Sequence, residues 1–114
     1  MTMELSDMPD GLVRVTLAGR LDSPGVDLIE TKFLGALTPT GKHAAVDLSK
    51  VDFIASMGIR MLISTARALG RRGGRFVLFA PQEGVREIFG HVSLADIIPI
   101  YDTEDEALLA LRSS

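Results

Sequence analysis

The chain has no cysteine. That removes disulfide frameworks, thiol nucleophiles and thiolate metal sites, and it suits a reducing compartment. It also lacks a basic excess. Twelve Lys and Arg stand against fifteen Asp and Glu, a formal net charge of −3, so nothing draws a phosphodiester backbone and nucleic-acid binding is not expected. No apolar run approaches the roughly 20 residues of a membrane span, and membrane insertion is not expected. The opening stretch MTMELSDMPDG carries acids and a proline where a signal peptide needs a basic end and an apolar segment, so the expected location is the cytoplasm. Internal repeats, low-complexity tracts and linker-like stretches are missing too, and residues 1–114 read as one domain. What is present is ordinary for a soluble globular domain: 46% hydrophobic and 24% charged residues, in a chain long enough to bury a core.

Hydrophobic spacing gives the elements. MELS is a strand candidate, followed by the turn signal Pro9-Asp10-Gly11. In LVRVTLA, Val13, Val15 and Leu17 alternate with Arg14 and Thr16, the period of a strand with one buried face, so a hairpin is predicted. Ser23-Pro24 punctuates the chain as an N-cap followed by proline at the first helical position. The predicted helix carries Val26, Ile29, Phe33 and Leu37 on one face and stops at Thr38-Pro39-Thr40-Gly41. The largely apolar runs 44–48 and 75–80 suit strands covered on both faces. Between them a helix from about Met57 to Leu69 is predicted, with Ile59, Leu62, Ile63, Ala66 and Leu69 as its core stripe. A shorter helix around Val85, Ile88 and Phe89 follows, then a short strand in IIPIYD whose Pro99 marks an edge or an end. Thr103-Glu104-Asp105-Glu106 matches a capping box that opens a last helix with Leu108 and Leu111 inward. The order predicts an α/β domain with a mixed sheet.

Ser56, in VDFIASMGIRML, is the residue that invites chemistry. Its hydroxyl has three readings: a helix cap, a nucleophile, or an acceptor of a phosphoryl group. The nucleophile reading is poorly supported, because an elbow needs glycine two residues away on each side and only Gly58 is there. His43 and His91 have no recognisable catalytic spacing. As an acceptor, a serine at a helix start would place about −2 of charge on the surface beside the positive end of a helix dipole. A partner packed against the neutral serine would then have to desolvate that charge. Along the same helix Met57, Met61, Ser64 and Ala68 form a second stripe. It reads either as methionines packing round onto neighbouring elements or as an adaptable docking face. Arg71, Arg72 and Arg75 complement a helix C-terminus. Asp22, Asp47 and Asp52 fall near predicted strand ends, without the convergence a metal site demands.

Three stretches resemble the STAS domain, the module named for sulphate transporters and anti-sigma factor antagonists. AGRLDSPGV resembles the family's Gly-Glu-Leu-Asp segment, VDLSKVDFIASMGIRML its central Asp-Leu-Ser … Asp-Ser-Ser-Gly-Leu segment, and PIYDTEDEALLAL its closing strand and helix. The resemblance implies a single α/β STAS domain: a mixed sheet of four to five strands, with an N-terminal hairpin and then alternating strands, packed with about four helices. It implies an anti-sigma factor antagonist that binds a GHKL-type serine kinase while one serine is unphosphorylated, releases it once phosphorylated, and is reset by a PP2C-type phosphatase. The matching serine is Ser56. The partner face it implies includes Met57, Gly58, Met61 and Ser64, with Asp22 close to the acceptor. Ala55 and Met57 replace the usual Asp and second Ser, and Arg20 stands where glutamate is usual. No catalytic activity, cofactor or metal is implied. A soluble STAS subunit of an ABC-type lipid transporter is the alternative, with Ser56 then serving as a cap.

Overall fold

The period-two pattern of the N-terminal segment produces the predicted hairpin. In the computed structural model, which describes residues 1–113, β1 (Thr2–Met8) runs antiparallel to β2 (Leu12–Leu21), with Leu5 opposite Val15. Asp10 and Gly11 turn the chain with φ of 70° and 72°, a left-handed backbone that aspartate tolerates and glycine adopts freely.

Three strand–helix–strand crossovers follow. They are built from α1 (Ser23–Leu37), β3 (Ala44–Ile54), α2 (Ser56–Gly70), β4 (Phe76–Phe79), α3 (Glu83–His91) and β5 (Ile100–Tyr101), and α4 (Glu104–Arg112) closes the chain. The sheet order is β1-β2-β3-β4-β5, with β2 to β5 parallel. Successive crossovers of one hand lay their helices on one face of the sheet. Accordingly Val26, Ile29 and Phe33 of α1, Leu62 and Leu69 of α2, and Val85 and Phe89 of α3 share a core with Val15, Val46 and Leu78. Phe33 meets Phe76 edge to face at 6.2 Å, worth about 1 kcal/mol beyond burial. On the other face Ala107, Leu108 and Leu111 of α4 pack on Leu12, Ala45, Val77 and Phe79. The Thr103 hydroxyl accepts from Glu106 N at 3.2 Å, as the capping box predicts.

Several boundaries differ from the sequence expectation for identifiable reasons. β3 continues past Leu48 to Ile54 even though Ser49, Lys50 and Asp52 are exposed. Register shifts against β2 between Thr16 and Ala18 and between Gly19 and Arg20 let Val51 and Ile54 still reach the core. IIPIYD contributes only Ile100 and Tyr101 to the sheet, because a 3-10 turn at Leu94–Asp96 precedes it and Pro99 has no N–H for the ladder. α1 is capped by Asp22 rather than Ser23, which is its first helical residue.

Candidate functional site

Register brings two helix starts together. Arg20 pairs with Phe53 and Leu21 with Ile54 at the ends of the parallel strands β2 and β3. The continuations Asp22-Ser23-Pro24-Gly25 and Ala55-Ser56-Met57-Gly58 therefore leave the sheet side by side and open α1 and α2. Ala55 N–H donates to the Leu21 carbonyl at 3.1 Å, tying the two exits together.

At α1 the first turn is satisfied. Asp22 Oδ1 accepts from Gly25 N at 2.9 Å, and Asp22 Oδ2 pairs with Arg20 Nε at 3.2 Å. The Gly25 N–H bond, seconded by Arg20, holds the Asp22 carboxyl below its ordinary value. The Arg20 guanidinium lies over the Phe53 ring at 4.3 Å, a cation–π contact across the same pair of strands.

At α2 the cap position belongs to Ala55, whose methyl accepts nothing. Gly58 N–H falls back on the Ala55 carbonyl at 2.9 Å. Ser56 is thus the first helical residue, exposed, and its hydroxyl takes no part in capping. Among the described residues, no protein group hydrogen-bonds it. Of its three readings the capping one is excluded by geometry: the helix begins one residue too early for Ser56 to serve as cap.

Both helix starts are seated by glycine. A Cβ on Gly25 would lie 2.1 Å from the Arg20 carbonyl oxygen, and one on Gly58 would lie 2.6 Å from that of Leu21. Gly58 is accordingly buried, and its role is close approach of backbone to backbone. Met61 is the larger correction. It is 0% exposed and belongs to the core, so it is not part of a surface stripe. The inward face of α2 comprises Gly58, Met61, Leu62, Thr65 and Leu69, while Ile59, Ile63 and Ala66 lie half-buried at its rim. Thr65 enters that face because its hydroxyl donates to the Met61 carbonyl at 2.8 Å, which satisfies the polar group locally. Of the expected partner face, Ser64 is exposed and Met57 half-buried.

Arg60 was not singled out by the sequence. It is exposed one turn after Ser56 and rests against the Met57 thioether at 3.9 Å. Arg20 over Phe53 also lies outside local patterning; aligning RLDSPG with FIASMG as parallel neighbours is the signal that finds it. The three aspartates do not converge. Asp47 is buried within β3 and paired with Arg14 at 2.9 Å, and Asp52 is exposed. Among the described residues no group of three His, Asp or Glu is placed to hold a metal. His43 Nδ1 accepts from Arg75 N at 2.9 Å, a structural bond. A surface cavity of about 350 Å³ between α3 and β5 shares no residue with this site. No described helix is long and apolar enough to cross a membrane.

The comparisons with known proteins agree on one fold. The STAS domain family profile matches residues 6–107. An anti-sigma F factor antagonist of Paenibacillus polymyxa is 26% identical over 90% of this chain and 88% of its own. The crystal structure of an anti-sigma factor antagonist from Mycobacterium paratuberculosis superposes with a TM-score of 0.87 at 30% identity, covering 98% of this chain and 94% of its own. The anti-sigma factor antagonist SpoIIAA in its unphosphorylated form superposes with a TM-score of 0.81 at 24% identity over 99% and 98%. SpoIIAA in its phosphorylated form also superposes, at 0.71 and 23% identity over 96% and 99%. With the family's segments in place along a β1-β2-β3-β4-β5 sheet, and a profile spanning most of its length, this chain belongs to the STAS domain family.

Proposed function

We propose that this STAS domain is an anti-sigma factor antagonist that works by partner switching, with Ser56 as the phosphorylated residue. The observation that carries the reading is the exposed, unbonded Ser56 hydroxyl at the head of a helix whose cap position is a methyl group. The names of its relatives and the two phosphorylation forms of SpoIIAA support it.

Unphosphorylated, the outward side of α2 around Ser56, Met57, Arg60 and Ser64 docks on a GHKL-type serine kinase, with Asp22 at the margin. That kinase then no longer holds its sigma factor. In the reverse direction the kinase moves the γ-phosphoryl group of ATP onto Ser56 Oγ. The hydroxyl proton leaves to a base of the kinase and ADP departs. A phosphate at this position sits among first-turn N–H groups, so the fold tolerates it. The partner must now desolvate about two negative charges, and the complex dissociates. A PP2C-type phosphatase hydrolyses the ester to inorganic phosphate and restores the hydroxyl. Chemistry in the cycle belongs to the kinase and the phosphatase, and this chain is their substrate. Gly58 and Met61 serve from beneath, as the seat and core anchor of the docking helix.

Paired baits test this reading. Wild type and Ser56→Glu are used to capture proteins from the native lysate. Recovery of a GHKL-type serine kinase by wild type and its loss from the glutamate bait is the expected result. Equal recovery of the same transporter subunits by both baits would replace the switch with an assembly role.

A further inference from the structure

The proposed phosphate would arrive in a neighbourhood already stocked with charge. Asp22 stands at the adjacent strand exit, Asp27 is exposed in the early part of α1, and Asp52 is exposed on β3. Two arginines oppose them, Arg20 from β2 and Arg60 one turn along α2. Among the described residues Arg60 has no carboxylate within ion-pair distance.

We infer that Arg20 is the intramolecular receiver of a phosphate on Ser56, with Arg60 as its second contact, so that phosphorylation exchanges the Arg20–Asp22 pair for an Arg20–phosphate pair. The inference rests on the reading of Ser56 as the phosphorylated residue. Three features of the site support it. First, the Arg20 side chain is 59% exposed and its bond to Asp22 is 3.2 Å long, an exposed pair that holds the arginine weakly. Second, Asp22 keeps its other oxygen on Gly25 N when Arg20 leaves, so the exchange does not uncap α1. Third, the Arg20 guanidinium lies 4.3 Å over the Phe53 ring and, among the described residues, its one hydrogen bond is made through Nε, so that Nη1 and Nη2 remain for the forked contact by which arginine binds phosphate. Because Phe53 lies three residues before Ser56, the ring contact holds the cation at the strand end from which the serine emerges. A phosphate on Ser23 would instead stand directly beside the Asp22 carboxylate that already occupies the first turn of α1.

The consequence is a local change of surface without a change of fold. Asp22 loses its counter-ion, Arg20 turns toward α2, and a partner meets a rearranged triad instead of a bare added charge.

The experiment places phosphoserine at position 56 during synthesis and titrates it by ³¹P NMR in wild type, Arg20→Gln, Arg20→Lys and Arg60→Gln. Amide spectra confirm that each chain is folded. The second ionisation of the phosphate, near pH 6 in a free phosphoserine, is expected to rise by about 0.3–0.5 unit in Arg20→Gln. Arg20→Lys should restore part of the wild-type value, and Arg60→Gln should shift it by less than Arg20→Gln. An Arg20→Gln titration within about 0.1 unit of wild type, well under the shift expected of a nearby cation, would overturn the inference. Since the phosphate is installed without a kinase, that result leaves the switch standing. A kinase that ignores Ser56 would overturn the switch and leave the titration interpretable.

Discussion

Two helices leave neighbouring parallel strands in nearly the same sequence frame, Asp22-Ser23-Pro24-Gly25 and Ala55-Ser56-Met57-Gly58, and only the first has a side-chain cap. Both serines are exposed first helical residues, and both glycines are pressed against a strand carbonyl. The difference lies one residue earlier. At α1 a carboxylate fills the first turn and charges the surroundings of Ser23. At α2 a methyl leaves the turn open and puts no charge directly before Ser56. An N-cap is ordinarily worth about 1 kcal/mol, so α2 forgoes stability at the position where the proposed modification needs an unoccupied helix end. The lesson is that the proposed acceptor serine is marked here by what its neighbour fails to do.

The largest expected effect tests what the two starts share. Gly25→Ala forces a methyl to 2.1 Å from the Arg20 carbonyl and should cost about 3 kcal/mol, the upper range for overpacking. Gly58→Ala, at 2.6 Å from the Leu21 carbonyl, should cost about 2 kcal/mol. Urea unfolding measures both, and unchanged midpoints would mean that the helices are not seated on the strand ends.

The next prediction tests what separates them. Ala55→Asp supplies the missing cap and should stabilise the chain by about 1 kcal/mol, read as a higher thermal midpoint. A midpoint at or below wild type would show that α2 is not short of a cap.

A smaller effect sharpens the same contrast through pH. The Asp22 carboxyl is depressed in the folded state, so between its folded value and the unfolded 3.8 the unfolded chain binds more protons. Its contribution is therefore complete above 3.8 and disappears as the pH falls through the folded value. Urea titrations of wild type and Asp22→Ala should show an advantage for wild type at neutral pH that vanishes in acid. A constant gap across that range would assign the effect to packing instead of charge.

Much of this was legible in sequence because it was local. The stripe Val26, Ile29, Phe33 and Leu37 of α1 is buried as its spacing demands, and the Thr103 capping box forms as written. The inward stripe of α2 lies about one position away from the one its apolar spacing predicts. Its inward face contains a glycine buried by backbone approach, a threonine satisfied by its own helix, and Met61, a residue equally suited to a core and to a docking surface. Ser56 stood out from the sequence, but whether it capped α2 depended on where the helix began, a one-residue question that spacing does not answer. The Arg20–Phe53 contact was illegible because the two residues, over 30 apart in sequence, meet only through strand register, whereas the Arg20–Asp22 pair is local.

The most direct measurement of the central claim is the affinity of the captured GHKL-type kinase for three forms of the chain: unmodified, phosphoserine at 56, and phosphoserine at 23. Phosphate at 56 should weaken binding by at least about tenfold, since a charge then faces desolvation at the interface, while phosphate at 23 should leave binding near the unmodified value. Equal affinity of the unmodified and phospho-56 forms would contradict the account.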